Sequence, residues 1–350
     1  MTHALSTLAR PWLTAGDRFV LRLAFGATAG FAVALAMDWQ FSFLTAMLAM
    51  QILAAAPAAP GLRQGLAIPV VIFIASTAAY GVATLFADAP PVLLAILALV
   101  ILATFYSQRR GAPAIVMLFI QVSFCGVPLM ASTSLEVAEL FAELLQKSSV
   151  AAVAIVWTAF ALFPAPPPAP QAAATPGPAP AGLPPAEAAH VAISDTLVLL
   201  PLVAMFIIGG DINNFVVIMI TINLLRQVEP GAGGRVAVGL LVGNVMGGVL
   251  AVLAQQWVIV ADSLVQFLLT VLLAGLWFGG RLVRGGPMAP LFGLAFGTFL
   301  LLIGIAITPL PGGSEEAFVI RILKIGAASL YALGALSLVA RLRRSPPATA

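Results

Sequence analysis

Five ionisable side chains stand within or beside stretches too apolar to solvate them: Arg22, Lys147, Asp195, Arg321 and Lys324. A charge at the centre of a membrane helix costs about 2.5–3.5 kcal/mol on insertion scales, so each needs a reason. Arg22, one turn inside the first apolar run, has a planar guanidinium that can grip a carboxylate through two hydrogen bonds. Asp195, about two turns inside the seventh run, is a protonatable carboxylate too short to snorkel to water. The plainer readings are snorkelling for Arg22 and a structural ion pair for either group. The lysines belong to a pattern that occurs twice, Glu139-x-Phe141-x5-Lys147 and Glu316-x-Phe318-x5-Lys324. Eight residues of helix put carboxylate and ammonium on one face about 12 Å apart. Glu143 joins that face in the first copy, and Arg321 lies one turn from Lys324 in the second. Such cations could draw anions to the mouth of a path, whereas a Glu143–Lys147 pair alone would only brace an interfacial helix. Two neutral amides, Gln51 and Asn223, can hydrogen-bond a solute; in membrane helices such groups also bridge neighbouring helices, as Gln121 and Asn244 can.

The elements that position these groups are apolar helices. Of 350 residues, 61% are apolar and only 8% are charged. Soluble chains carry about 25% charged residues, so lipid must be the main solvent here. Runs long enough to cross a bilayer are expected at 18–37, 41–59, 65–86, 91–106, 113–131 and 148–163. A second set is expected at 188–209, 213–225, 235–256, 261–279, 288–307 and 318–340. The fold expected is an all-α integral membrane protein of about twelve spans, in two six-helix halves at 1–163 and 188–350. Between them, 164–187 is a Pro/Ala-rich tether, since proline at that density blocks both helix and strand. Arg10, Arg18, Arg63, Arg109, Arg110, Arg226, Arg235, Arg281, Arg284, Arg341, Arg343 and Arg344 fall on one side of that topology. Asp38, Asp88, Asp211, Asp262 and the glutamates at 136, 139, 143, 315 and 316 fall on the other. The positive-inside rule then puts both termini and the tether in the cytoplasm.

The halves also match each other. Gln51 with Arg63 and Asn223 with Arg235 are related by 172 residues, as are Arg109 and Arg281. Pro113 matches Pro287 at 174, and the Glu-x-Phe-x5-Lys copies match at 177. An even number of spans per half makes the repeats parallel, related by an axis along the membrane normal. At a shift of 173, Asp195 occupies the position of Arg22.

Several chemistries are unsupported. Cys125 is the single cysteine, so no disulfide forms within the chain and no cysteine cluster binds a metal. His3 and His190 form no metal-binding motif, and no phosphate-binding GxxxxGK[ST] loop occurs. No catalytic residue, metal or cofactor is expected, and no nucleic-acid partner. The chain reads as a membrane protein that moves or holds something, not as an enzyme.

The Arg22-Leu-Ala-Phe-Gly26 opening and the Gln51-to-Arg63 segment, with Pro57 and Pro60, sit within two six-helix halves. In these respects the chain resembles the fusaric acid resistance and aromatic acid exporter superfamily, in particular its short branch of uncharacterised two-half membrane proteins. The resemblance implies a bacterial inner-membrane, multi-pass exporter of aromatic carboxylic acids, working with a periplasmic adaptor protein. Larger members carry a cytoplasmic domain where this chain has its tether. Expected partners are a small organic anion, the lipid bilayer, such an adaptor and further copies of the chain. The leading function is proton-driven export of small organic acids, with Arg22, Asp195, Lys147, Lys324, Arg321, Gln51 and Asn223 as substrate- or proton-binding residues. The alternatives are an anion channel of the malate-channel type and a non-transporting scaffold for the adaptor.

Overall fold

A computed structural model describes residues 13–165, 182–210, 212–227, 234–261, 263–284 and 286–307, together with 327, 330, 331 and 334. Eleven α-helices account for most of these residues. The first six are α1 (Ala15–Ala36), α2 (Phe43–Ala55), α3 (Leu62–Leu85), α4 (Pro90–Arg109), α5 (Ala114–Ala131) and α6 (Leu135–Leu162). They are followed by α7 (Pro185–Gly209), α8 (Phe215–Gln227), α9 (Gly234–Ala261), α10 (Leu264–Arg284) and α11 (Ala289–Ile307). Among the described residues, nine of these helices are long and apolar enough to cross a membrane. The twelfth expected span, 318–340, falls almost wholly outside the described residues.

Helix boundaries follow local chemistry. Thr14 caps α1 reciprocally with Asp17: its hydroxyl accepts from the Asp17 amide, and the Asp17 carboxylate accepts from the Thr14 amide. Ser134 caps α6 at the Val137 amide. Prolines occupy the first turns of α4 and α7, where no helical donor is lost. Gly210, at φ 66°, closes α7 in the left-handed conformation that favours glycine. Helix α6 starts 13 residues before the expected span at 148–163. Its first half is amphipathic, with Glu136, Glu139, Glu143 and Lys147 exposed while Ala138, Phe141, Leu144 and Leu145 are buried. Hydropathy alone therefore sees only its second half.

Two helices are short. Helices α2 and α8 have 13 residues each, about 20 Å of rise, and are buried on nearly every side. The longer helices surround them and turn Leu66, Phe73, Ile74, Leu99, Val245, Leu253 and Leu273 outward, a surface suited to lipid and not to water. Close approach depends on small residues: a Cβ on Gly30 would lie 2.5 Å from the Ala46 Cα of α2. Gly243 and Gly247 likewise bring α9 against the Leu291 and Ala295 carbonyls of α11. Contacts between the two sets of helices are exchanged: α1 packs along α10, and α7 packs along α4.

Gly30→Ala should therefore prise α1 from α2 and cost about 1–3 kcal/mol, the usual range for overpacking. Gly81→Ala, where a Cβ meets open space, should stay within about 0.5 kcal/mol of the parent. Thermal unfolding of the two purified variants in the same detergent checks the contrast, and equal midpoints would contradict this packing.

Candidate functional site

Between α2, α8, α10 and α11 lies a cavity of about 340 Å³. Its walls are Met47, Met50, Met219, Phe278, Phe292, Phe296 and Leu301, with Leu23 of α1 contributing one edge. The exposed lining residues, Ala54, Ala55 and Pro290, place the mouth at the end where α2 finishes and α11 begins. Arg226, Arg281 and Arg284 sit on the last turns of α8 and α10 at that same end. Three polar side chains line the cavity: Gln51, Asn223 and Thr298. Gln51 and Asn223, paired by spacing in the sequence, thus meet in one space. Thr298 gave no sequence signal; it lies among apolar residues of α11 and is identified only by what surrounds it.

The hydrogen bonds of these groups are partly committed. Asn223 Nδ2 donates to the Met219 carbonyl at 2.9 Å. Thr298 Oγ1 donates to Asn244 Oδ1 at 2.7 Å, so Asn244 bridges α9 to α11. In the first half Gln121 bridges α5 to α4 through Thr104, at 3.2 Å. Bridging, the plainer reading for Gln121 and Asn244, is thus what their side chains do.

Eight residues before Gln51, and about 12 Å along the helix, Phe43 begins α2. Phe215 begins α8 at the same distance before Asn223. The two rings are 6.1 Å apart between centroids. Phe141 stands 5.3 Å from Phe215 and 5.0 Å from Phe41, and all four rings are buried. Edge-to-face packing of this kind fills the space between the central helices beyond the cavity. Gly126 and Gly304 lie directly against these rings, where a side chain would not fit. The exposed residues of the cavity lie at its arginine-bearing end, and beyond its other end buried aromatic rings pack between the central helices.

Neither Arg22 nor Asp195 lines this cavity. Arg22 is buried against α6, where it donates to the Phe163 carbonyl at 2.9 Å and lies 4.4 Å over the Phe160 ring. It therefore neutralises the C-terminal end of α6. Asp195 is also buried, and it accepts from Arg109 at 2.8 Å in an ion pair that joins α7 to α4. Arg109 donates as well to the Leu225 carbonyl of α8, at 3.0 Å. Nearby, Arg226 donates to the Ala114 carbonyl and to Gln108, while Arg110 donates to the Leu183 carbonyl. The arginines that read as topology markers thus also clamp helix ends together. Sequence reasoning missed Arg109 as the partner of Asp195; the signal was that a buried carboxylate requires a cation. Lys147 is half-exposed on α6 and paired with Glu143, away from the cavity. Arg321 and Lys324 lie outside the described residues.

Residues 20–159 match a family described as a protein of unknown function (DUF2955). The match runs from within α1 to near the end of α6. No curated protein matches the chain, and no solved structure does.

Removing one partner of a buried ion pair strands the other charge, typically at a cost of 3–5 kcal/mol, whereas replacing both with apolar residues is often neutral. Asp195→Asn alone should therefore lower the thermal midpoint and the yield of folded protein sharply. Arg109→Met combined with Asp195→Leu should recover most of the loss. A double variant no more stable than the single one would contradict the pairing.

Proposed function

We propose that this chain is a bacterial inner-membrane secondary transporter that exports small amphipathic organic acids, aromatic ones included, using the proton gradient. The observation that carries this reading is the cavity, apolar-walled and dotted with amides, with its exposed residues at one end and the buried rings of Phe41, Phe43, Phe141 and Phe215 packed beyond the other. A site reachable from one side only is what alternating access requires, and apolar walls with a few placed polar groups are what small solutes bind. A continuous channel would need a path through that aromatic packing.

The helix plan supports two parallel six-helix repeats. Helix α8 begins 172 residues after α2 and has the same 13 residues. Helices α1, α3, α4 and α5 likewise have counterparts of similar length in α7, α9, α10 and α11. The exchanged packing of α1 on α10 and of α7 on α4 fits a twofold relation between the halves, with α2 and α8 nearest its axis. The family match, ending near the close of α6, covers one such repeat. By the positive-inside rule the arginine-bearing mouth faces the cytoplasm, so the structure corresponds to a state loaded from within.

Asp195 gives a route for coupling. A proton on its carboxylate weakens the bond to Arg109 and loosens α7 from α4, which belong to different halves. Arg22, bound to the end of α6, instead holds α1 to α6 within the first half and stands outside the transport path. Lys147 stands on the half of α6 that would face outward, where a cation would favour release of an acid anion, and the sequence repeat assigns Lys324, with Arg321, the same role.

Purified protein in liposomes should move a labelled hydroxybenzoate when a pH gradient is imposed and stop when it is collapsed. Phe215→Ala should add a leak that persists without the gradient, because the seal is opened. No coupled flux for any of a panel of aromatic acids would remove the transporter reading. Voltage-following unit currents without proton dependence would put a channel in its place.

A further inference from the structure

The cavity has a chemical bias that its position alone does not require. Among the described residues its lining contains no aspartate, glutamate, lysine, arginine or histidine. Of the two guanidiniums adjacent in sequence to lining residues, that of Arg22 is turned towards Phe160 and Phe163, and that of Arg281 lies 5.7 Å over the Trp277 ring. A carboxylate entering this space would lose its hydration and meet no opposite charge among the described lining residues, a situation that drives such a group to take up a proton.

The polar groups point the same way. Asn223 Nδ2 is engaged with Met219, and the Thr298 hydroxyl hydrogen with Asn244. What these two residues have left to offer a ligand is Asn223 Oδ1 and the lone pairs of Thr298 Oγ1 as acceptors, and the second N–H of Asn223 Nδ2 as a donor. Gln51 is half-buried and forms no hydrogen bond among the described residues, so it adds one further acceptor and two N–H donors. A carboxylate accepts only, so it would leave these three acceptor oxygens without a donor. An O–H or N–H group would be matched.

We infer that the cavity binds an uncharged, planar, hydrogen-bond-donating molecule, such as an undissociated aromatic acid, a phenol or a primary amide, and excludes the ionised carboxylate. The rings of Phe278, Phe292 and Phe296 and the thioethers of Met47, Met50 and Met219 take the flat apolar body. Gln51, Asn223 and Thr298 receive its donors. The inference rests on the reading of this cavity as the transport site, and it specifies which protonation state of an acid enters.

The test uses the full chain in lipid nanodiscs and two labelled probes of nearly equal shape, benzoic acid and benzamide. Benzamide binding should be independent of pH between about pH 4 and about pH 7, since it stays neutral throughout. Apparent affinity for benzoic acid should fall about tenfold for each pH unit above its own pKa, following the undissociated fraction. Thr298→Val and Asn223→Leu should each weaken benzamide about three- to tenfold, the effect of one neutral hydrogen bond. Gln51→Arg should reverse the bias, adding benzoate binding that persists at the higher pH. Benzoate binding that holds its strength as pH rises, with benzamide excluded, would overturn the inference while leaving the transporter reading intact. Benzamide binding as expected but no flux in liposomes would overturn the transporter reading and leave this one standing. Binding of neither probe at any pH removes the cavity as a ligand site, and both readings with it.

Discussion

A helix of 13 residues rises about 20 Å, roughly 10 Å short of the hydrocarbon thickness it would have to cross. Two such helices, α2 and α8, stand at the centre of this protein. Backbone groups beyond their ends cannot face lipid, where each would go unsatisfied at a cost of several kcal/mol. They must be wrapped by longer helices, and the rest of the architecture follows from that requirement. The surrounding helices carry glycine where they press on a neighbour and leucine, isoleucine or phenylalanine where they meet lipid. The space above and below the short helices is then filled in two ways, by phenylalanine rings at one end and by the cavity at the other.

Charge is arranged under the same constraint. With so few ionisable groups, those that enter the protein are bound where they stand. Asp195 has Arg109, and Arg22 has the carbonyl end of α6. Both arrangements sit on seams between helices instead of in the cavity between α2 and α8. The polar chemistry of the cavity is left to amides and one hydroxyl. The charged groups that tie helices together are thus separate from the polar groups of the cavity, with helix packing as the link between them.

Much of this was legible in the sequence because hydropathy reports directly on lipid exposure. Ten of the eleven helices begin within a few residues of the expected spans. Helix α6 is the exception, since its charged outward stripe masks a buried face from any average over the whole turn. The spacing that related Gln51 to Asn223 was informative, and their meeting in one cavity follows from the counterpart positions of α2 and α8. Partnerships across the chain were not legible. Arg109 and Asp195 are 86 residues apart, and in sequence Arg109 is indistinguishable from the loop arginine that follows it. Thr298 was invisible for a related reason: a single hydroxyl in an apolar helix acquires meaning only from the helix that packs opposite, here the Asn244 face of α9.

The exchanged packing of α1 and α7 has a consequence for biogenesis. Helix α1 leaves the ribosome first, yet the helix along which it packs, α10, begins only at Leu264. At about 5–20 residues per second, synthesis of the intervening chain takes on the order of ten to forty seconds. Throughout that interval the glycine face of α1 and the buried guanidinium of Arg22 must be sheltered by α2 and α6 or by the insertion machinery. The first six helices therefore cannot mature as a finished unit ahead of the rest: they are completed by α10, and a chain truncated after α6 would leave the α10-facing side of α1 exposed.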